Sequence, residues 1–108
     1  MAESYGKSAW PIGQFVRSKT GRDCGRYYLI YGVEEKDSYL LLVDGEKRSL
    51  QNPKRKNMRH VQVMHKVSLE FSQLIKQGKT VDNAAIRQML KELNADKTNR
   101  KTLKEVGR

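Results

Sequence analysis

With 108 residues and 37% hydrophobic content, the chain has room for one small domain plus tails around a modest core. No apolar run is long enough to cross a bilayer, so a soluble protein is expected. The 22 Lys+Arg against 12 Asp+Glu give a net charge of +10, which calls for a polyanionic partner; residues Met1 to Ala9 carry neither a basic amphipathic pattern nor a lipidation signal that would direct that charge to a membrane.

In chain order, residues 1–11 read as a flexible lead-in that is small and polar until Trp10-Pro11, whose indole is expected to cover an open end of the fold. Strand material then runs to about Val63: Phe15 to Ser18, Tyr27 to Val33, Tyr39 to Val43, Lys47 to Leu50 and Arg59 to Val63. Gly21 to Gly25 and Glu34 to Ser38 separate the first strands. Asp44-Gly45 reads as a two-residue hairpin turn, because both residues tolerate positive φ. Asn52-Pro53 stops the fourth strand before the basic run Lys54-Arg55-Lys56. Five short strands fit a small barrel, assigned to residues 12–65.

After His65 the apolar period changes from two to 3.6. Val67, Phe71, Leu74 and Ile75 make one helical stripe, closed by Gly78 where a left-handed cap belongs. Asp82 is the candidate N-cap of a second helix, with Ile86, Met89, Leu90 and Leu93 on one face. Residues 66–95 are therefore expected to form a helical hairpin. The stretch 96–108 is polar and basic and is expected to stay disordered until a partner orders it.

The most informative segment runs from Gly13 to Ile30. Gly21 and Gly25 let the backbone turn tightly and approach a phosphate, and Arg22 and Arg26 supply planar forks suited to phosphate oxygens. Asp23 is expected to organise the turn through its own backbone. Read on its own, this loop is equally a tight hairpin with solvated arginines. The spacing of Gly13, Val16, Gly21, Gly25, Arg26 and Leu29-Ile30 resembles the KOW motif, in which a glycine leads into a strand, a Gly-basic-x-x-Gly-basic loop follows and an apolar strand returns. It departs at Tyr28, where the motif often has another glycine. Across roughly Gly13 to Leu93 the chain is similar to bacterial KOW-domain RNA-binding proteins, relatives of archaeal and eukaryotic large-subunit ribosomal proteins. That resemblance implies an SH3-like barrel and RNA binding. The fold class expected is thus mainly β with an α extension: a five-stranded SH3-like (KOW) barrel followed by a two-helix C-terminal hairpin.

A second basic group comprises Lys47, Arg48, Lys54, Arg55, Lys56 and Arg59, opposed nearby only by Glu46, and releasing counterions from nucleic acid is what such a cluster does well. Arg17, Lys19 and His60 complete the candidate RNA contacts. Alternation places Tyr27 and Tyr31 on the face of Leu29 and Val33, leaving Tyr28 to face out as a candidate contact. Aromatic residues make up 7% of the chain, too few for an extended stacking platform, so backbone recognition of a structured RNA is expected.

Other chemistries lack their residues. His60 and His65 have no cysteine or clustered carboxylate near them, so no metal site is expected, and no cofactor motif is present. Cys24 lies beside arginines but has no positioned base, so no catalysis is expected. As the single cysteine it forms no internal disulfide, and with an amino-terminal stretch lacking an apolar secretory core it points to the cytoplasm. The sequence therefore predicts a protein, monomeric when free, that binds structured RNA, ribosomal RNA first among the candidates, in translation or ribosome assembly, with ribosomal proteins as further partners and no small-molecule substrate. The alternative is a protein-interaction adaptor that uses the barrel to dock on, for example, transcription machinery.

Overall fold

Apolar side chains recur on both faces of the strands, and this decides how the chain layers. The computed structural model describes residues 10–34, 36 and 38–93. Five strands, β1 (Gln14–Ser18), β2 (Tyr27–Glu34), β3 (Tyr39–Val43), β4 (Lys54–Asn57) and β5 (Val61–Val67), form one antiparallel sheet in the order β4-β3-β2-β1-β5. Helix α1 (Leu69–Lys76) and helix α2, over 83–93, follow. β4 and β5 are the edges, and no ladder joins them among the described residues, so the sheet is open where the sequence led us to expect a closed barrel. No helix among the described residues is long and apolar enough to cross a membrane.

One face of the sheet contributes Phe15, Leu29 and Val43; Phe71 of α1, Ile86, Met89 and Leu93 of α2, and Val81 in the connection between them cover it. The opposite face contributes Val16, Tyr28, Ile30, Leu40, Leu42 and Val61, against which Trp10 and Val33 pack. Each such side chain removed from water stabilises the fold by about 1.5–3 kcal/mol before entropy is charged. Because both faces are covered, alternation chooses between two apolar layers, not between core and solvent. Tyr28, expected to face out, is therefore only 2% exposed. A bulge between Ile30 and Gly32 shifts the pairing from Ile30↔Leu42 to Gly32↔Leu41, which moves Val33 off the face it was expected to share with Leu29.

Two strand assignments differ from the expectation. Lys47 to Leu50 is not a strand, because the Asp44 carboxylate collects the N–H groups of Glu46, Lys47 and Arg48 at 2.8, 3.1 and 2.9 Å and curls the chain there. Asp44-Gly45 thus starts a longer loop, 44–53, in place of a two-residue turn. The fourth strand is instead the basic run itself: Lys54, Arg55 and Lys56 pair with Leu42, Leu41 and Leu40 of β3. Arg59 and His60, expected to open the last strand, lie in a 3₁₀ turn, Met58–His60, whose N–H at Arg59 is capped by Asn57.

Val67 closes β5, and α1 starts after the N-cap Ser68, whose hydroxyl accepts from Phe71 N at 3.1 Å. Asp82 caps α2 by accepting from Ala85 N at 2.9 Å. The expectations for 1–9 and 96–108 lie outside the described residues.

Candidate nucleic-acid interface

The β1–β2 connection is a compact loop. Cys24 N donates to Gly21 O, Arg26 N to Asp23 O, and Gly25 N to Ser18 O, at 3.1, 2.9 and 2.8 Å. The Asp23 side chain turns inward and binds the fold. Its Oδ1 accepts from Ser18 Oγ at 2.9 Å and Lys56 Nζ at 3.1 Å; its Oδ2 accepts from Tyr28 Oη at 2.8 Å and faces Lys54 Nζ at 3.8 Å. Burial opposes this charge, yet the hydrogen bonds of Tyr28, Ser18 and Lys56 together with the Lys56 ammonium outweigh it and lower the carboxyl to about 2. The same burial, reinforced by Asp23, pushes the Tyr28 phenol well above its ordinary range, so Tyr28 stays a donor. Asp23 therefore organises the loop through its carboxylate, where the sequence suggested its own backbone.

The 44–53 loop is built on the second aspartate. Asp44 holds three loop N–H groups on Oδ1 and accepts from Arg26 Nη2 on Oδ2 at 3.2 Å. Arg26 donates further to Glu46 Oε1 at 3.0 Å, and the hydrogen bond to Asp44 raises the guanidinium pKa, keeping it charged. Arg87 of α2 donates to Gly45 O at 2.6 Å and braces this loop from the helix side.

The two loops and the start of β4 enclose a surface cavity of about 370 Å³ lined by Arg22, Arg26, Lys47, Arg48 and Lys54, with Asp23, Tyr28, Asp44 and Asn52. Basic residues from both sequence clusters thus meet around one concavity. Arg22 and Lys47 are exposed and make no ion pair among the described residues.

The other candidates are dispersed by strand geometry. Alternation along β4 sends Lys54 and Lys56 toward Asp23 and Arg55 to the opposite face, where its guanidinium lies 3.7 Å from the Tyr39 ring centroid and 2.9 Å from Glu34 Oε1. The side chain of Lys56 is 10% exposed and also donates to Thr20 O, so it belongs to the frame of the loop rather than its surface. Lys19, Arg59 and His60 are exposed, and Lys19 N donates to His60 O at 2.8 Å, which joins the exit of β1 to the 3₁₀ turn that carries Arg59 and His60. Arg17, on β1, is half-buried. Tyr28 lines the cavity from below with its hydroxyl committed to Asp23, so its ring is not a free stacking surface.

Sequence reasoning missed Asn52 as a lining residue, Asp44 as the loop's anchor and the Ser18–Asp23–Tyr28–Lys56 network. An Asp-Gly followed by polar residues is an Asx-turn signal as much as a hairpin signal, and Lys-x-Lys alternation could have marked a strand. Among the described residues, no group of three or more His, Cys, Asp or Glu side chains is placed to hold a metal ion. In comparisons with known proteins, the chain matches no protein family and shows no significant similarity to any curated protein.

Proposed function

We propose that this chain binds structured RNA through its phosphate backbone, at a ribosome-associated post in translation or assembly, without catalysing a reaction. The observation that carries the reading is the convergence of Arg22, Arg26, Lys47, Arg48 and Lys54 on one cavity from segments far apart in sequence. Guanidinium forks and ammonium groups held this way neutralise phosphates and release their counterions. The likeness of Gly13–Ile30 to the KOW motif supports the same reading. The path of the chain, a four-stranded meander whose fifth strand enters through a 3₁₀ turn and pairs beside the first, is compatible with the strand order of a small SH3-like barrel, though no ladder closes the sheet among the described residues.

The test is sedimentation of a cell lysate on a gradient, with and without RNase. Co-migration with ribosomal particles that RNase abolishes is expected; free migration in both runs overturns the reading in favour of a protein adaptor. With purified components, contacts to about five phosphates should make log affinity fall against log salt with a slope of roughly −3.5 to −4.5. A slope near zero removes the electrostatic mechanism.

A further inference from the structure

Each side-chain acceptor atom lining the cavity already has a donor facing it. Asp23 Oδ1 and Oδ2 are taken by Ser18, Lys56 and Tyr28, with Lys54 close by; Asp44 Oδ1 holds three backbone N–H groups, and its Oδ2 takes Arg26. Asn52 Oδ1 faces Arg48 Nη1 at 3.5 Å, and the Tyr28 hydroxyl donates inward. What remains toward solvent is donors: the guanidinium groups of Arg22, Arg26 and Arg48, the Lys47 and Lys54 ammonium groups and the Asn52 amide. Such a site disfavours groups that must themselves donate, such as the amino groups of bases, and suits an anion whose outer atoms are all acceptors.

Size and charge narrow the ligand. A water molecule occupies about 30 Å³, so a cavity of about 370 Å³ has room for more than one phosphate group. Five lining cations against the carboxylates of Asp23 and Asp44, and of Glu46 on Arg26 at the rim, leave a net positive site. The surface is concave, whereas the flank of a regular duplex is convex and offers such a hollow its phosphates only one or two at a time.

We infer that the cavity is a receptor for a compact cluster of two or more phosphate charges, as presented by a sharp turn of an RNA backbone or by a 5′-triphosphate end. The inference rests on the RNA-binding reading and specifies which feature of the RNA the site holds.

The experiment compares the wild-type chain with Lys47→Gln/Arg48→Gln, and with Lys76→Gln/Lys91→Gln as a control that removes the same charge from the exposed sides of the helices. Circular dichroism and melting first establish that all three are folded. Binding is measured for inorganic tripolyphosphate and orthophosphate, and for three RNAs: a blunt duplex with 5′-hydroxyl ends, the same duplex with a 5′-triphosphate, and a tight-looped hairpin with the same stem. Tripolyphosphate should bind about tenfold better than orthophosphate, and the preference should vanish in Lys47→Gln/Arg48→Gln but not in the control. Preference for the hairpin identifies a backbone turn as the source; preference for the triphosphate duplex identifies an end. Equal affinity for all three RNAs, with no tripolyphosphate preference, overturns the inference and leaves RNA binding standing. Tripolyphosphate binding with no affinity for any RNA supports the donor-only receptor and overturns the RNA reading.

Discussion

Two loops build the cationic cavity, each around one aspartate, but the aspartates are held in different ways. Asp23 is bound by side chains from β1, β2 and β4, so the 21–26 loop depends on the two strands that flank it and, through Lys56, on a strand distant in sequence. Asp44 is bound mainly by the N–H groups of its own next turn, so the 44–53 loop is largely self-made, and it depends on the rest of the fold through Arg26 and through α2 at Gly45. A loop of the first kind fails when its partners change; one of the second kind tolerates charge loss provided a single acceptor survives.

The strongest way to break the comparison is the same substitution at both sites. Asp23 uses both oxygens, and its side chain is 11% exposed beside Lys56 at 10%, so Asp23→Asn presents an amide to a donor and leaves Lys56 without its carboxylate. We expect a loss of about 3 kcal/mol in urea unfolding. Asp44→Asn retains the Oδ1 that serves three N–H groups and turns its amide toward Arg26 alone, a partly exposed guanidinium that keeps Glu46 as acceptor, a loss of about 1 kcal/mol. Equal losses would show that the loops are not built differently.

The pH dependence follows from the same carboxylate. Asp23 is depressed in the folded chain from 3.8 to about 2, so its contribution is present above pH 4 and is lost as pH falls toward 2. Urea midpoints measured from pH 5 to pH 2 should drop across that window, and Asp23→Asn should flatten the drop. A variant as acid-sensitive as the parent would place the titrating group elsewhere.

Glycines sharpen the contrast at a smaller scale. Both Gly25 and Gly45 have positive φ, 93° and 75°. A Cβ on Gly25 would meet only Arg17 Nη2 at 3.9 Å, so Gly25→Ala should cost about 1 kcal/mol of backbone strain. On Gly45 it would lie 2.6 Å from Asn83 O and 3.0 Å from Arg87 N, backbone of α2 and its approach, so Gly45→Ala should cost about 2 kcal/mol as the loop lifts from the helix. Thermal melts rank the two, and the reverse order would mean that the helix does not brace the loop.

These networks also mark how far the sequence could be read. β1, β2, β3 and the two helices were legible because apolar periodicity and the caps Asp82 and Gly78 act locally, although Val67, counted in the first helical stripe, closes β5 and Ser68 caps the helix after it. β4 was not, since Lys54, Arg55 and Lys56 carry no apolar signal and owe their strand conformation to pairing with β3. Lys47 to Leu50 misled because the carboxylate of Asp44, just before this segment, overrides strand propensity by collecting the N–H groups of Glu46, Lys47 and Arg48. The chemistry of the site was visible as residue types, and Arg22, Arg26, Lys47, Arg48 and Lys54 did come together. What no local pattern carried was which cations are spent internally: Lys56 on Asp23, Arg55 on Glu34 and Tyr39.

The smallest expected effect concerns Glu46. Arg26 is shared between Asp44, which is 5% exposed and fixed by the loop, and Glu46, which is 59% exposed and whose carboxylate, among the described residues, is held by Arg26 alone. A carboxylate at the rim occupies Arg26 much as a phosphate oxygen would, and an exposed pair of this kind is weak enough for a ligand to displace. Glu46→Gln keeps the side-chain length, retains Asp44 as the anchor of Arg26 and removes one negative charge that an incoming phosphate must approach. RNA affinity should therefore rise about threefold at low salt, with the gain shrinking as added salt screens it. A fall in affinity, measured by fluorescence anisotropy on a folded variant, would mean that Glu46 orients Arg26 for binding and that the second loop supplies a positioning residue where we assign a competitor.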